Sequence, residues 1–239
     1  MKPGHVPLER ALSKLGLASR SQAKRLILDA KVRVNGTIRL DPFYPVVPEK
    51  VRIDIDDQSV SKAAPRTFML YKPRGCVTTK SDEKSRPTVF SLIDEGDIHL
   101  VAVGRLDWAT SGLLLLTNDT QLANKLTDPL SEIRRTYLVS VRGEVTEGEL
   151  DGLRKGITDE GEFLRADEIV LRKASGKESH LTVYLMEGKN REIRRMFTAI
   201  GHEVTRLKRV AYGGLALGDL QPGQYRELSD EEIRIVFEG

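Results

Sequence analysis

The segment from Gly104 to Asp119 places an acidic residue, Asp107, between two aliphatic runs. Leu100–Val103 precedes the acid and Leu113–Leu116 follows it, and both runs are typical of buried strands. The residues between them are therefore predicted to turn against a core, with Asp107 at the rim. Arg105 is expected to keep this carboxylate ionised, because a nearby cation favours the charged form. Such a carboxylate suits a nucleophile, whereas the alternative is an aspartate that only ties down its own turn by bonding backbone amides.

The charge of the chain is nearly balanced overall but unevenly distributed. With 38 basic and 35 acidic residues among 239, the net charge is only +3, and a hydrophobic content of 39% allows a sizeable core. Residues 10–39 contain eight basic residues and one acid, and residues 189–209 contain seven basic residues and two acids. Two basic blocks predict a polyanion contacted at two places, as phosphate backbones require. The alternative interpretation is a pair of solvated helix faces.

Several classes of protein are disfavoured by what the sequence lacks. Cys76 is the single cysteine, so no intramolecular disulfide is possible, and no apolar signal segment precedes the first helix; a cytoplasmic location is expected. No run is long and apolar enough to span a bilayer, so no membrane partner is expected. The four histidines lack the ligand spacing of zinc sites, and no glycine-rich nucleotide loop is present. We therefore expect neither a metal nor a cofactor.

The first 60 residues predict a small unit of two helices followed by a hairpin. Leu8–Leu15 has helical spacing, and a second helix begins with the capping-box pair Ser19 and Gln22. Asn35-Gly36 fits a type I′ turn between two short strands. The basic side chains of the helices are expected to project outward, where phosphates could meet them: Arg10, Lys14, Arg20, Lys24 and Arg25.

A polar stretch separates this unit from a larger one. The sequence is polar from Asp57 to Arg66, and we place a linker at 61–66, between domains at 1–60 and 67–239. The second domain predicts a mixed α+β fold on a largely antiparallel sheet. Its predicted strands are Phe68–Tyr71, Leu100–Val103, Leu113–Thr117, Tyr137–Val141, Ile169–Leu171, Leu181–Leu185 and Val204–Leu207. Its predicted helices are Leu122–Leu126, Glu147–Lys155 and Arg191–Ile200.

Two further segments carry groups suited to a nucleic-acid site. Arg135-Thr136-Tyr137 opens a strand, and the tyrosine offers a flat ring for stacking on an unpaired base, although a strand tyrosine is also a common core residue. Residues 189–197 open a helix with an apolar stripe flanked by arginines. One guanidinium could turn inward to pair with Asp107. The alternative is a surface arginine cluster without a partner.

Together these segments resemble the bacterial ribosomal RNA pseudouridine synthases of the RsuA/RluB type. Residues 104–119 are similar to the catalytic motif of that family, and Tyr71-Lys72-Pro73-Arg74-Gly75 is similar to its first motif. Arg135-Thr136-Tyr137 resembles its tyrosine strand, and residues 187–210 resemble its arginine-rich segment. Residues 8–55 separately resemble an S-four-type RNA-binding domain. The resemblance implies an isomerase that converts uridine to pseudouridine.

The resemblance also assigns roles to individual residues. It implies that Asp107 is the nucleophile, that Tyr137 stacks on the target uracil and can assist proton removal, and that Arg194 pairs with Asp107. It implies substrate contacts for Arg105, Lys72, Arg191 and Arg195. It implies RNA docking by the five basic residues of the N-terminal helices. The sequence departs from the family pattern at Arg135 in place of lysine, Lys189 in place of arginine, Glu192 in place of glutamine and Thr120 in place of glycine.

The expected activity is a site-specific isomerisation in ribosomal RNA, as folded RNA or an assembly intermediate, by a monomer. The nucleotide is expected to leave the RNA stack, at a cost of roughly a few kcal/mol. The Asp107 carboxylate then either attacks or removes a proton that lets the base leave, and the uracil rejoins the sugar through carbon. The alternative function is a non-catalytic RNA-binding or ribosome-assembly factor. A two-carboxylate glycosidase ranks behind both, because no motif places a second acid relative to Asp107.

Overall fold

In this computed structural model, which describes residues 4–60, 64–80, 82–96 and 98–238, the N-terminal residues form two helices and two small sheets. The helices are α1 (Leu8–Lys14) and α2 (Arg20–Leu28). The strands are β1 (Val6–Pro7), β2 (Val32–Val34), β3 (Thr37–Ile38), β4 (Pro45–Val46), β5 (Ile53–Ile55) and β6 (Gln58–Val60). One sheet has the order β3-β2-β5-β6, and β1 pairs with β4 in the other.

The predicted helix and turn signals of this region are confirmed. The Ser19 hydroxyl accepts from the Gln22 amide and the Gln22 side chain accepts from the Ser19 amide, which completes the capping box of α2. Asn35 and Gly36 both have positive φ, at 50° and 79°, as a type I′ turn between β2 and β3 requires. Strand β6 pairs with β5 within the polar stretch, so that stretch is not wholly a connection. Of the predicted linker, residues 61–63 lie outside the described residues.

The rest of the chain builds a large sheet with flanking helices. The strands are β7 (Thr67–Lys72), β8 (Val101–Val103), β9 (Ser111–Thr117), β10 (Arg135–Arg142), β11 (Ile157–Asp159), β12 (Glu162–Leu164), β13 (Glu168–Lys173), β14 (Glu178–Leu185), β15 (Val204–Tyr212), β16 (Leu215–Ala216) and β17 (Tyr225–Glu227). The helices are α3 (Thr120–Thr127), α4 (Glu147–Lys155), α5 (Glu192–Ala199) and α6 (Asp230–Ile235). Short 3₁₀ turns occur at Pro48–Lys50, Val89–Leu92 and Pro129–Ser131.

The large sheet has the order β13-β14-β10-β15-β9-β7-β17, with β8 beside β9 and β16 beside β15. Its β13–β14–β10–β15 part is antiparallel, whereas β15 and β9 run parallel. This confirms the predicted α+β class with a largely antiparallel sheet. Gly112 allows the close parallel approach, because a Cβ at that position would lie 2.1 Å from the Arg209 carbonyl oxygen.

All seven predicted strands and all three predicted helices of the larger domain are present. Helix α5 begins at Glu192 rather than Arg191, because Arg191 has a left-handed φ of 49° and cannot continue a helix. The short hairpin β11–β12, strands β16 and β17 and helix α6 were not predicted. Helix α6 nevertheless carries its own signal, a capping box between Ser229 and Glu232.

The chain divides into two compact units. The first consists of Met1–Thr67, Asp94–Val101 and Leu116–Asn124, and the second of Phe68–Ile93, Ala102–Leu115 and Lys125–Gly239. In the first unit, α1 and α2 pack against strands β2, β4 and β5 in one core. Leu12 and Ile27 lie on the buried faces of the two helices. Every residue of the candidate site below belongs to the second unit. Within the described ranges, no helix combines the length and apolar character needed to cross a membrane.

Candidate active site

The turn that carries Asp107 is held through five consecutive backbone carbonyls. This confirms the predicted turn at the edge of the core. The carbonyl oxygens accept, in chain order, from Thr78 Oγ1 (2.9 Å), the Thr110 amide (3.0 Å), the Gly75 amide (2.9 Å), Arg194 Nη2 (3.2 Å) and Lys72 Nζ (2.7 Å). Because residues 72–78, the turn itself and helix α5 all supply donors, the backbone under Asp107 has little freedom to move. A rigid support of this kind is what a pre-organised catalytic group requires.

Two guanidinium groups face the Asp107 carboxylate. Its Oδ2 atom lies 3.5 Å from Arg191 Nη1 and 4.0 Å from Arg194 Nε, and 34% of the side chain remains exposed. No backbone amide of the described residues donates to the carboxylate, so the structure does not support the turn-tying alternative. The expectation that Arg105 supplies the neighbouring cation is wrong. Arg105 is exposed, lines the same cavity and forms no ion pair within the described chain, whereas Arg191 and Arg194 lie beside the carboxylate.

Arg194 is the more deeply placed of the two arginines, with 12% of its side chain exposed. Its Nη1 donates to the Val204 carbonyl at 3.0 Å and its Nη2 to the Ala109 carbonyl at 3.2 Å. Its buried Nε, which faces Asp107, has no hydrogen-bond partner in the part of the chain that the structure describes. Burial and the charges of Arg191 and Arg74 lower the pKa of Arg194, and Asp107 opposes this effect. Because arginine stays protonated in proteins, Arg194 is a fixed cation beside the carboxylate.

Asp107 opens onto a cavity of about 540 Å³. This volume lies within the range of roughly 300–1,000 Å³ that is typical of small-ligand sites. The wall includes Tyr137, whose partner across β10 and β15 is Arg209. The Tyr137 hydroxyl makes no hydrogen bond to any residue that the structure describes, so it is available to a ligand. The charged and aromatic wall residues include Arg105, Asp107, Arg135, Tyr137, Arg191 and Arg209.

Two buried arginines give one wall of the cavity a positive charge. The guanidinium carbons of Arg135 and Arg209 lie 5.2 Å and 5.0 Å from the centre of the Tyr212 ring. Arg209 Nε donates to the Leu113 carbonyl at 2.7 Å, and Arg135 Nη1 donates to the Met186 carbonyl at 2.6 Å. Neither guanidinium pairs with a carboxylate of the described residues. Arg209 was not singled out from the sequence. The available signal was its position two residues after Leu207, which places both side chains on the same face of the strand.

The structure does not bring Lys72 or Arg195 to the cavity as substrate ligands. Lys72 is fully buried, and burial lowers its pKa to about 8. The Lys72 ammonium donates to the Thr110 and Pro73 carbonyls. Because Thr110 belongs to the Asp107 turn, Lys72 stabilises that turn. Arg195 lies 2.5 Å from both Asp159 and Glu162 on the β11–β12 hairpin, so its guanidinium is engaged within the protein.

Most basic residues of the second block, 189–209, contact other groups of the protein. The expectation that this block forms a second phosphate-binding surface is therefore wrong for most of its residues. Lys189 pairs with Glu187 at 2.5 Å, and the Lys208 ammonium lies 4.6 Å from the centre of the Tyr71 ring. Arg206 is exposed. By contrast, the five basic residues of α1 and α2 form no ion pairs with the residues described here, and all except the half-buried Lys14 are exposed: Arg10, Lys14, Arg20, Lys24 and Arg25.

Glu192 is a buried carboxyl group in the cavity wall that sequence reasoning treated only as a departure from the family pattern. It is 3% exposed, its Oε2 accepts from the Lys189 amide at 3.2 Å, and its buried Oε1 has no partner among the described atoms. Burial and the neighbouring Glu187 raise the pKa of Glu192 to about 7. The signal was its place in the stripe formed with Ile193, Met196 and Phe197, which predicts an inward side chain.

Glu192→Gln is expected to remove a pH dependence of folding stability. The folded protein keeps the Glu192 proton where the unfolded chain, with a pKa of 4.5, releases it, so wild-type stability falls as the pH rises from 4.5 through about 7. Each pKa unit corresponds to about 1.4 kcal/mol, so the variant should be more stable by about 3 kcal/mol at pH 8 and unchanged at pH 4.5. Urea denaturation at both pH values measures this difference.

The matched control for this prediction is Glu203→Gln, because Glu203 is an exposed glutamate in the same basic block. That change should leave the pH dependence of unfolding as in the wild type. If the unfolding free energies of the Glu192→Gln variant and the wild type depend on pH in the same way, folding does not raise the pKa of Glu192 and the prediction is wrong.

A rigid carboxylate beside two guanidiniums, in a cavity with an available tyrosine, defines an enzyme site for a small polar group, and comparison with known proteins gives its class. Residues 66–199 match the RNA pseudouridylate synthase family, and residues 6–51 match the S4 domain. The chain belongs to the RNA pseudouridylate synthase family and is an isomerase that acts on RNA. The resemblance drawn from the motifs is thereby confirmed. Among the residues described, no group of three or more histidine, cysteine or acidic side chains is placed to hold a metal ion.

Similar proteins span nearly the whole chain. Ribosomal large subunit pseudouridine synthase B of Bacillus subtilis (strain 168) is 39% identical over 95% of this chain and 93% of its own. A protein named uncharacterized RNA pseudouridine synthase in Aquifex aeolicus (strain VF5) is 36% identical over 97% of this chain and 94% of its own. A crystal structure of a pseudouridylate synthase, 30% identical, covers 97% of this chain and 99% of its own with a TM-score of 0.67.

Proposed function

We propose that this enzyme converts specific uridines of ribosomal RNA to pseudouridine, with Asp107 as the catalytic carboxylate. The observation that carries the proposal is the placement of Asp107, whose turn is bonded by residues 72–78 and by Arg194 and whose carboxylate faces Arg191 and Arg194 at the wall of the cavity. Ribosomal RNA is the proposed substrate because the Bacillus subtilis relative, aligned over nearly its full length, is named for the large ribosomal subunit.

The cavity accommodates the reaction in a defined order. The target nucleotide leaves the RNA stack and enters the cavity, where Tyr137 offers a flat ring to the uracil. Asp107 then either attacks the nucleotide or removes a proton that lets the base leave, and the N1–C1′ bond breaks. The detached uracil turns, a C5–C1′ bond forms, the C5 proton is lost and N1 gains a proton. Arg191 and Arg194 hold the carboxylate in position throughout.

The two parts of the chain have separate roles, RNA binding and catalysis. We assign RNA docking to residues 1–60 and catalysis to residues 67–239, joined by the linker at 61–66. Support for the first assignment comes from the S4 match and from the unpaired basic residues of α1 and α2. We further propose that the enzyme acts as a cytoplasmic monomer on folded ribosomal RNA or an assembly intermediate. A non-catalytic RNA-binding factor would have no need for a carboxylate, a tyrosine and arginines around one cavity.

The test is to incubate the purified enzyme with ribosomal RNA from a strain that lacks its gene and to map pseudouridine at single-nucleotide resolution. Transfer RNA from the same strain serves as the matched substrate control. The proposal expects pseudouridine to appear at one or a few ribosomal positions that are unmodified in the deletion strain. Modification of transfer RNA alone would refute the ribosomal substrate and leave the isomerase activity standing.

The helix residues Arg20, Lys24 and Arg25 are expected to dock RNA without taking part in the reaction. Replacing all three with alanine should weaken RNA binding and make the slope of log affinity against log salt shallower by about 2 to 3, since each phosphate contact contributes just under one. Turnover at saturating RNA should stay near the wild-type value. Filter binding across a salt series and steady-state kinetics measure the two effects.

The control for the docking prediction removes positive charge that the protein already neutralises. Lys31 and Arg33 lie 3.3 Å and 2.8 Å from Asp56 and Asp57, so their replacement with alanine should change the salt slope much less. Reduced maximal turnover with unchanged RNA affinity in the triple variant would contradict the proposed division of work.

A further inference from the structure

The single tryptophan of the chain stands exposed directly beside the proposed catalytic carboxylate. Trp108 follows Asp107 and is 53% exposed. An indole ring is costly to leave in water, and tryptophan is highly buried on average. The ring makes no hydrogen bond, ring contact or cation contact with any residue in the described ranges, so its exposed face is open to a ligand.

The backbone fixes where this ring stands. The Trp108 carbonyl accepts from the Gly75 amide at 2.9 Å, and the carbonyl oxygens on either side of it are also bonded, to the Thr110 amide and to Arg194. Asp107 lines the cavity, whereas Trp108 does not. The indole is therefore placed outside the cavity, one residue from the carboxylate. Because one residue separates the indole from the carboxylate, an RNA chain whose uridine reaches Asp107 would pass close to the ring.

Exposed arginines lie on the segments next to Trp108. Arg74 is exposed and precedes Gly75, whose amide bonds to the Trp108 carbonyl. Arg105 and Arg191 are exposed and line the cavity on which Asp107 opens. An exposed aromatic ring with arginines on neighbouring segments suits unpaired nucleic acid, because bases stack on the ring while the cations bind the phosphates.

We infer that Trp108 stacks on the nucleobase adjacent to the everted uridine and fills the space that the uridine leaves in the RNA stack. This inference rests on the proposed function and adds a residue that binds the RNA chain rather than the reacting base. When a base leaves a stack, its neighbour exposes one face to water. The indole covers that face, as apolar side chains do when they insert between base steps.

Substitutions of Trp108 distinguish stacking on RNA from a role in the protein structure alone. Trp108→Leu, which keeps an apolar side chain but no aromatic ring, should raise KM for RNA by about 10- to 100-fold, the range expected for one base–aromatic stack. Its kcat at saturating RNA should stay within about threefold of the wild type, and Trp108→Phe should recover most of the affinity. The matched control is Phe163→Leu, since Phe163 is equally exposed, at 53%, and does not line the cavity.

The single tryptophan also gives a direct signal in the full-length protein. Titrating the protein with an unmodified ribosomal RNA transcript should quench its fluorescence to saturation at the binding constant found by filter binding. Unchanged fluorescence at RNA saturation, or a Trp108→Leu variant with wild-type KM, would overturn the stacking role. If the proposed function is wrong, the wild type will form no pseudouridine. The fluorescence titration will still report whether the indole contacts the RNA, so the two failures are distinguishable.

Discussion

Asp107→Asn should lower the rate of pseudouridine formation by about 10⁴-fold or more, the scale seen when a catalytic nucleophile is removed from other enzymes. Asparagine keeps the shape of the side chain but supplies neither a negative charge nor a nucleophilic oxygen. The turn should survive, because its bonds run through backbone carbonyls and not through the carboxylate. Nucleoside analysis of digested RNA after timed incubation measures the rate.

The control for this variant is Asp119→Asn in the same sequence segment. The Asp119 carboxylate accepts from the Gln121 and Leu122 amides at the start of α3, a capping role that asparagine also fills. Activity of this variant should therefore match the wild type. An Asp107→Asn enzyme within about tenfold of the wild-type rate would refute the nucleophile assignment and favour an accessory role.

Arg194→Lys should lower kcat by about 10²- to 10³-fold with little change in KM. Lysine keeps the charge, but one ammonium cannot donate to the Val204 and Ala109 carbonyls and also face Asp107, as the planar guanidinium does. The Ala109 bond belongs to the Asp107 turn, so its loss should displace the carboxylate, and a small misplacement in an active site can cost about 10²-fold in rate. Steady-state kinetics with saturating RNA measure the effect.

The neighbouring residue supplies the control for Arg194. Arg195→Lys changes the same functional group one position along α5, and its partners are Asp159 and Glu162. We expect lower thermal stability in this variant and a kcat near the wild-type value. Equal losses of kcat in both variants would show that helix α5, and not the contact of Arg194 with the Asp107 turn, determines activity.

The parts of the fold that sequence predicted well depend on local patterns. The capping boxes at Ser19 and Thr146, the turn at Asn35-Gly36 and the Asp107 turn between two aliphatic runs all follow from spacing within about ten residues. Apolar periodicity predicted the strands for the same reason. Membership of the family followed from long motifs that occur in the expected order along the chain.

The partners of individual charged residues could not be predicted in the same way. Arg191, Arg194 and Arg195 stand within five positions, yet two face Asp107 and the third is taken by the β11–β12 hairpin, more than 30 positions upstream. Lys72 was predicted at the substrate, but it is buried under the Asp107 turn because the Thr110 carbonyl needs a donor there. Such pairings depend on contacts between distant segments, which spacing along one chain does not record.

The most direct test of the role of Asp107 follows one hydrogen atom in a single turnover. Because the new C5–C1′ bond displaces the hydrogen at C5, RNA carrying tritium at uracil C5 releases its label to water when pseudouridine forms. With enzyme in excess, the wild type should release one tritium per modified uridine, whereas Asp107→Asn should bind the same RNA with unchanged affinity and release none. Tritium release by Asp107→Asn at the wild-type rate would contradict the assignment of this carboxylate to the chemistry.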